Sequence, residues 1–394
     1  MNSIRNLLLA VPAVLAAATV DKRQTADTIP GSWIVRLEEG AELVNVLGNL
    51  RSNASIEPKH EYNIGSFKGF AFNGDDSEVD TIANMPNVKS IEPDTKVYAS
   101  IPVGLNERAL TTQSPAEYGL ARISHRARTG TGYVYDTTAG SGTYVYVIDT
   151  GVSTSHSEFG GRATAGANFV SGESATDANG HGTHCAGTVA GRLYGVAKQA
   201  NIIGVKVLGA DGSGTNSGVL AGIDWAVSNA QSNNRVARSV ISMSLGGVRS
   251  TATNDAVAEA VSAGIFTVVA AGNDNANANN FSPASEPTAF TVGATSSTDA
   301  RASFSNFGTS LDIFAPGVLI KSAWIGGNSA TNTISGTSMA CPHVAGLAAY
   351  LISLEGTRTP AALGERIKSL STKNVVTSPG SGSVNQLAYN GNGA

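Results

Sequence analysis

The sequence predicts an α/β protein with a doubly wound, mostly parallel sheet, preceded by a small α+β domain of the split-βαβ kind. Three observations carry this. Five apolar runs rich in β-branched residues, at 143–148, 202–208, 240–245, 266–271 and 289–294, read as strands buried on both faces. Helical stretches at 184–190, 217–230, 254–263 and 339–354 fall between or after them, the alternation that builds a parallel sheet. Residues 31–98 carry a separate pattern, βαβ(β)αβ.

The elements follow in chain order. Arg5, an apolar run at 7–15 and the small residues Ala16, Ala17 and Ala18 have the form of a secretory signal peptide over 1–18. That run is too short to span a bilayer, and no later stretch reaches 18 consecutive apolar residues. Residues 19–108 form the next unit, with its core at 31–98. Trp33, Val35 and Leu37 alternate with Ile34 and Arg36 as in a strand, and Leu43, Val46, Leu47 and Leu50 follow helical spacing. Strands are expected at 67–72 and 88–91, and a helix at 79–85 stopped by Pro86. Residues 99–112 read as a linker, and the large domain runs over 109–394. In a doubly wound sheet, sites form beyond the carboxyl ends of the strands. Asp149 and Asn273 closely follow apolar runs and so belong there.

Composition narrows the class. Only 14% of the 394 residues are charged and 41% are hydrophobic, which suits a sizeable core. Glycine supplies 45 residues, well above the usual share of about 7%, and implies many tight turns and close backbone approaches. A net charge of −4 with no Lys/Arg run argues against nucleic-acid binding. Two cysteines do not make a disulfide scaffold even in an exported chain, so stability must come from the core or from bound ions.

Three short segments carry chemistry: Val147-Ile148-Asp149-Thr150-Gly151, His181-Gly182-Thr183-His184-Cys185 and Gly336-Thr337-Ser338-Met339-Ala340. Together they present an acid, a base and a nucleophile. Ser338 opens a helix of small apolar residues, where Pro342 is tolerated only in the first turn and so fixes the start near Ser338. Gly336 is expected to turn the chain sharply and leave the hydroxyl above backbone N–H donors. His181, between Gly180 and Gly182, would be the general base, and Asp149 would hold its tautomer. Taken singly, each has an ordinary reading: a helix cap for Ser338, a structural imidazole for His181, a turn residue for Asp149. His181, His184 and Cys185 also cluster, but the H-x-x-H spacing lacks a Glu and no second Cys/His pair stands at finger spacing. The amide of Asn273, ending Ala270-Ala271-Gly272-Asn273, is a candidate oxyanion donor.

With the order Asp, His, Ser and these neighbours, the chain resembles the subtilisin-type serine proteases, the subtilase family, in its proteinase K-like branch of secreted fungal alkaline proteases. Tyr118-Gly119-Leu120-Ala121-Arg122-Ile123-Ser124, Tyr194-Gly195-Val196-Ala197, Gly204-Val205-Lys206-Val207-Leu208, Ser242-Met243-Ser244-Leu245-Gly246-Gly247 and Phe281-Ser282-Pro283-Ala284-Ser285-Glu286-Pro287 carry the resemblance further. It covers 109–394, and residues 31–98 resemble the family's inhibitory propeptide. The resemblance implies a secreted, monomeric serine endopeptidase made as a zymogen, with protein and peptide substrates, its own propeptide as intramolecular inhibitor, and neither membrane nor nucleic acid as partner.

The resemblance also implies site residues. Gly212, Ser213 and Gly214, with Ser244, Leu245 and Gly246, would be edge segments pairing with an extended substrate. Ala270, Ala271 and Gly272 would floor a small, uncharged primary pocket that favours aromatic or large aliphatic side chains before the cleaved bond. Asp312, with the carbonyls of Pro287 and Ala289, would hold a structural calcium. Cys185 matches a free thiol near the catalytic His, Cys341 replaces a more usual Thr, and a buried pair of thiols is expected. Maturation is implied near Ala109, although Arg108 suits an apolar pocket poorly. Asn53 and Asn280 head glycosylation sequons, the second followed by Pro283. Two rival readings exist: a peptide-binding protein on a protease scaffold without turnover, and a nucleotide-binding enzyme, for which no G-x-G-x-x-G opens a helix after a strand.

Overall fold

The computed structural model describes residues 18–22, 28–53, 56–64, 67–95 and 109–393. Most of the signal segment, and Arg108 at the expected junction, lie outside the described residues. The chain divides into two compact units, Met1–Asn106 and Glu107–Ala394.

The first unit is a five-stranded sheet in the spatial order Thr19–Val20, Val88–Thr95, Thr28–Leu37, Phe67–Asn73, His60–Ile64, with helices α1 (Leu43–Asn53) and α2 (Asp76–Ala83). Val35 pairs with both Phe70 and Ile91, so one face of three strands is apolar; Leu47, Leu50, Val79 and Ile82 from the helices cover it. The second helix starts earlier than residue 79 because of a capping box: the Asp75 carboxylate accepts the N–H groups of Ser77 and Glu78, and Glu78 accepts that of Asp75. The strand His60–Ile64 is short and mostly polar, an edge strand with little apolar signal to read.

The second unit holds a nine-stranded sheet. Its order is Thr372–Lys373, Gln386–Leu387, Ile313–Pro316, Phe290–Thr295, Phe266–Ala270, Ser239–Met243, Tyr144–Asp149, Asn201–Lys206, Ala163–Asn168, parallel except at the first pair. Along Tyr144–Asp149, Val145 and Val147 enter one core and Tyr146 and Ile148 the other, the two-residue period of a strand covered on both faces. One core takes α3 (Tyr118–Ser124), α4 (His181–Ala190), α7 (Thr337–Glu355) and α8 (Pro360–Leu370). The other takes α5 (Asn216–Ser232) and α6 (Thr251–Ser262). Among the described residues only α7 is long and apolar enough to cross a membrane, and it is largely buried within the unit.

Strand order reverses at Tyr144–Asp149: the chain first builds outward to Asn201–Lys206 and Ala163–Asn168, then outward the other way from Ser239–Met243. Such a switch point leaves a crevice at the carboxyl ends. Asp149 stands at that end.

Candidate active site

Asp149 is fully buried, and His181, first residue of α4, reaches it: His181 Nδ1 lies 2.7 Å from Asp149 Oδ1. The Thr150 N–H donates to the same oxygen at 2.7 Å, and Oδ2 is buried without a partner among the described residues. Glycine makes the approach feasible. A Cβ on Gly182 would come within 2.1 Å of the Gly151 carbonyl and 3.2 Å of the Asp149 side chain, so only a bare backbone lets α4 press onto this loop. A carboxylate facing Nδ1 fixes the proton there and leaves Nε2 as the free base. Burial is the largest single influence and would lower the His181 pKa; the charge and hydrogen bond of Asp149, with Cys185 beside the ring, together outweigh it and hold the group well above its ordinary value.

A residue the sequence reading missed locks this pair. Asp177, nearly buried, accepts five hydrogen bonds: from Thr150 Oγ1, the Asn179 and Gly180 N–H groups, and both the N–H and hydroxyl of Thr183, at 2.6–3.0 Å. Thr150 Oγ1 in turn accepts the Gly182 N–H at 2.9 Å. One carboxylate thus ties the Asp149 loop to the start of the helix that carries His181, where unpaired helix N–H groups favour an anion. The available signal was an acidic residue in a polar turn four positions before the His.

Ser338 is the second residue of α7. Its hydroxyl donates to the Ser244 carbonyl at 3.2 Å, and among the described residues no hydrogen bond joins it to His181. The Asn273 amide is oriented by its neighbour: its Oδ1 accepts both the N–H and hydroxyl of Thr337, at 2.8 and 2.9 Å, which turns Nδ2 the other way. Gly336 corrects the expected sharp turn. Its φ of 165° is extended backbone open to any residue. Nor would a Cβ clash with the protein: it would make ordinary contact 3.6 Å from both Asn273 Nδ2 and the Ser338 nitrogen, filling the space that glycine leaves between them.

Pro342 is a second correction. The helix begins at Thr337, which places Pro342 in its second turn. Lacking an N–H, it cannot bond the Ser338 carbonyl four residues back. Other groups use that carbonyl: Ser244 Oγ donates to it at 2.8 Å, and Cys185 Sγ lies 3.4 Å away. Both cysteines are buried free thiols. Cys185 also sits 3.9 Å from His181 Nδ1, so Asp149, His181 and Cys185 form a cluster with metal-ligand atoms. His184 is no part of it; its Nε2 faces the Ile320 carbonyl at 3.0 Å, and burial lowers its pKa to about 4.

Two adjoining depressions flank the His and Ser. The first, about 440 Å³, runs from His181 and Thr150 between Gly212, Ser213, Gly214 on one side and Ser244, Leu245, Gly246 on the other. The second, about 400 Å³, is lined by Ala270, Ala271, Gly272, Asn273 and Ser338, with Leu245 and Gly246 shared. Asp274 also lines it, so a carboxylate borders a pocket whose floor reads as uncharged. Lys206 joins the base of the groove to the acid: fully buried, its ammonium donates to the carbonyls of Thr150 and Leu208 at 2.8 and 2.9 Å, and lies 3.1 Å from Glu173.

The remaining expected positions lie apart. Asp312 has internal partners: Lys368 Nζ at 2.8 Å from Oδ1, and the Thr291 N–H on Oδ2 at 2.9 Å. Asn280 is exposed, but the hydroxyl of its sequon residue Ser282 is engaged with the Ser250 backbone. Asn53 ends α1, and Ala54 and Ser55 lie outside the described residues.

Comparison with known proteins fits this geometry. The subtilase family profile matches residues 140–390, and that of the peptidase inhibitor I9 family matches 19–100. The chain is 51% identical to subtilisin-like protease 2 of Pseudogymnoascus destructans, over 98% of this chain and 96% of that one. It is 50% identical to an alkaline proteinase of Hapsidospora chrysogena and 46% identical to the cuticle-degrading protease of Metarhizium anisopliae, each over 98% of both chains. Among solved structures, a cold-adapted subtilisin-like serine proteinase superposes with a TM-score of 0.66 at 48% identity, covering 70% of this chain and 99% of that one.

Proposed function

The chain belongs to the subtilase family, and we propose that it works there as a secreted serine endopeptidase with Ser338 as nucleophile, His181 as general base and Asp149 as its orienting acid. The observation that carries this reading is the 2.7 Å contact between His181 Nδ1 and a buried Asp149, with Asn273 Oδ1 anchored on Thr337 at the start of the Ser338 helix so that Nδ2 is left free to donate. Proteolysis, as in the subtilisin-like relatives, comes with the family; the residue roles are our assignment, supported by the Asp149–His181 contact.

Ser338 Oγ leaves the Ser244 carbonyl by a side-chain rotation, passes its proton to His181 Nε2 and attacks the substrate carbonyl. The developing oxyanion is held by Asn273 Nδ2 and the Ser338 N–H in the space Gly336 leaves open. His181 then returns the proton to the leaving amine, and water resolves the acyl-enzyme by the same steps in reverse. The substrate backbone lies between Gly212-Ser213-Gly214 and Ser244-Leu245-Gly246 as a central strand. Its side chain before the cleaved bond enters the pocket over Ala270, Ala271 and Gly272, which favours aromatic and large aliphatic groups. As it stands Asp312 does not present an open carboxylate to calcium, and no step passes through one.

Residues 1–18 act as the export signal, 19–108 as the propeptide and 109–394 as the working monomer. The I9 match over 19–100 supports a propeptide that restrains its own enzyme until it is removed.

The test is hydrolysis of a peptide ending in Phe-p-nitroanilide by the secreted protein, with and without a serine-directed sulfonyl fluoride. Turnover abolished by the reagent and by Ser338→Ala is expected. Full activity in Ser338→Ala would overturn the assignment, and no turnover after removal of residues 1–108 would leave a binding scaffold.

A further inference from the structure

The resemblance calls for calcium beside Asp312; the structure places an ammonium there. Lys368 Nζ lies 2.8 Å from Asp312 Oδ1, 3.4 Å from Glu365 Oε1 and 5.7 Å above the ring of Phe290. Phe290 directly follows Ala289, so the ammonium stands against the very loop whose Pro287 and Ala289 carbonyls would complete the metal shell.

Local sequence explains how it arrives. α8 is a firmly seated helix, with Pro360 at its start, Thr359 capping it through the Ala362 N–H, and Leu363 and Ile367 buried. Gly364 and Lys368 are four apart and share a face. A Cβ on Gly364 would lie 3.3 Å from the Phe290 ring, so the bare glycine lets the helix rest on that ring, and one turn later Lys368 reaches Asp312. The Asp312 side chain is largely withdrawn from water, and a carboxylate so placed is held by a neighbouring cation. Calcium seeks six to eight oxygens. Here one carboxylate oxygen serves Lys368 and the other Thr291, and a divalent ion would meet a fixed positive charge.

We propose that Lys368 takes the place of a structural calcium: its ammonium is the cation that joins α8 to Asp312, and the folded chain does not bind calcium at Asp312 while Lys368 is present.

The experiment is calorimetric titration with calcium chloride after EDTA treatment, with melting scans in EDTA and in excess calcium, on Ser338→Ala protein to prevent autolysis. The parent is expected to take up no calcium through Asp312. Either it shows no heat and no shift in Tm, or any response survives unchanged in Asp312→Asn and so arises elsewhere. Lys368→Ala is expected to melt several degrees lower in EDTA and to recover in calcium, and Asp312→Asn added to it should erase the recovery. Two results would overturn the proposal: a calcium response of the parent that Asp312→Asn abolishes, or a folded Lys368→Ala with no new response. Should Lys368→Ala not fold, the parent and Asp312→Asn titrations still decide the first point, and Lys368→Gln, which keeps most of the stem, decides the second.

Discussion

Asp177→Ala removes the carboxylate that binds the acid loop to the base helix, and its cost follows from the five donors it would strand. Two hydroxyls can adapt: Thr183 Oγ1 already accepts the Ser153 N–H, and Thr150 Oγ1 that of Gly182. The Gly180 and Thr183 N–H groups are buried, fixed in direction and left without an acceptor. At about 1–3 kcal/mol for each stranded buried donor, the loss is about 2–6 kcal/mol, with the low end reached if water enters the gap. The measurement is urea unfolding of Asp177→Ala against its parent, both carrying Ser338→Ala. Activity in the Ser338 background should fall mainly in kcat, because His181 loses orientation while the groove walls at Gly212-Ser213-Gly214 and Ser244-Leu245-Gly246 are not held by Asp177. Asp177→Asn should be intermediate: Oδ1 is kept as an acceptor, but an NH₂ now faces the Thr183 N–H. A change within about 0.5 kcal/mol, the range of ordinary surface substitutions, with kcat unaltered would refute the argument.

Three further outcomes are expected. The Asp149 charge holds the His181 pKa above its ordinary value. Since only the neutral imidazole accepts the Ser338 proton, kcat/KM should fall as pH drops through that raised value, with an acid limb above about 6.5, the free imidazole pKa; Asp149→Asn should move the limb down as well as slow turnover, and a limb unmoved by that change would contradict the assignment. Asn273→Ala should lower kcat by about 10²–10³, the cost of removing one oxyanion donor from a subtilisin-type site, with little change in KM; equal activity would show that the amide is a turn residue only. Asp274→Asn should reduce kcat/KM for substrates with Arg before the cleaved bond relative to Phe, because it removes the carboxylate lining that pocket; an unchanged ratio would show that the carboxylate does not face the substrate.

The parts of this molecule legible in the sequence are those where chemistry and backbone geometry coincide. Buried parallel strands wrote themselves as unbroken apolar runs, and each of Asp149, His181 and Ser338 stands among small residues because two chain segments must close upon it. Ala163–Asn168 and Ile313–Pro316 escaped because one is a small-residue edge strand and the other ends in Pro316. Asp177 escaped for a different reason. Its function lies in five acceptor contacts to a turn and a helix start, and a lone Asp before Asn179-Gly180 carries no spacing that announces them.

Pro342 shows how a correct landmark can carry the wrong meaning. A proline near a helix start is read as marking the first turn, because there its missing N–H costs nothing. Here it lies one turn further in, and the missing bond is what the site uses. The Ser338 carbonyl, released from the helix ladder, accepts Ser244 Oγ, while the Ser338 hydroxyl donates to the Ser244 carbonyl. The nucleophile and a residue of the groove wall are therefore joined by two hydrogen bonds of opposite sense. Restoring the ladder bond would set the helix N–H against Ser244 Oγ and Cys185 Sγ for the same carbonyl. Pro342→Ala should therefore gain helix stability, since the interior penalty of proline is about 3 kcal/mol. It should lose precision where Ser338 meets the substrate edge, seen as a raised KM for long peptides relative to short ones. A variant that was more stable with unchanged KM for both would show that Pro342 is only tolerated and that the Ser244 contacts hold without it.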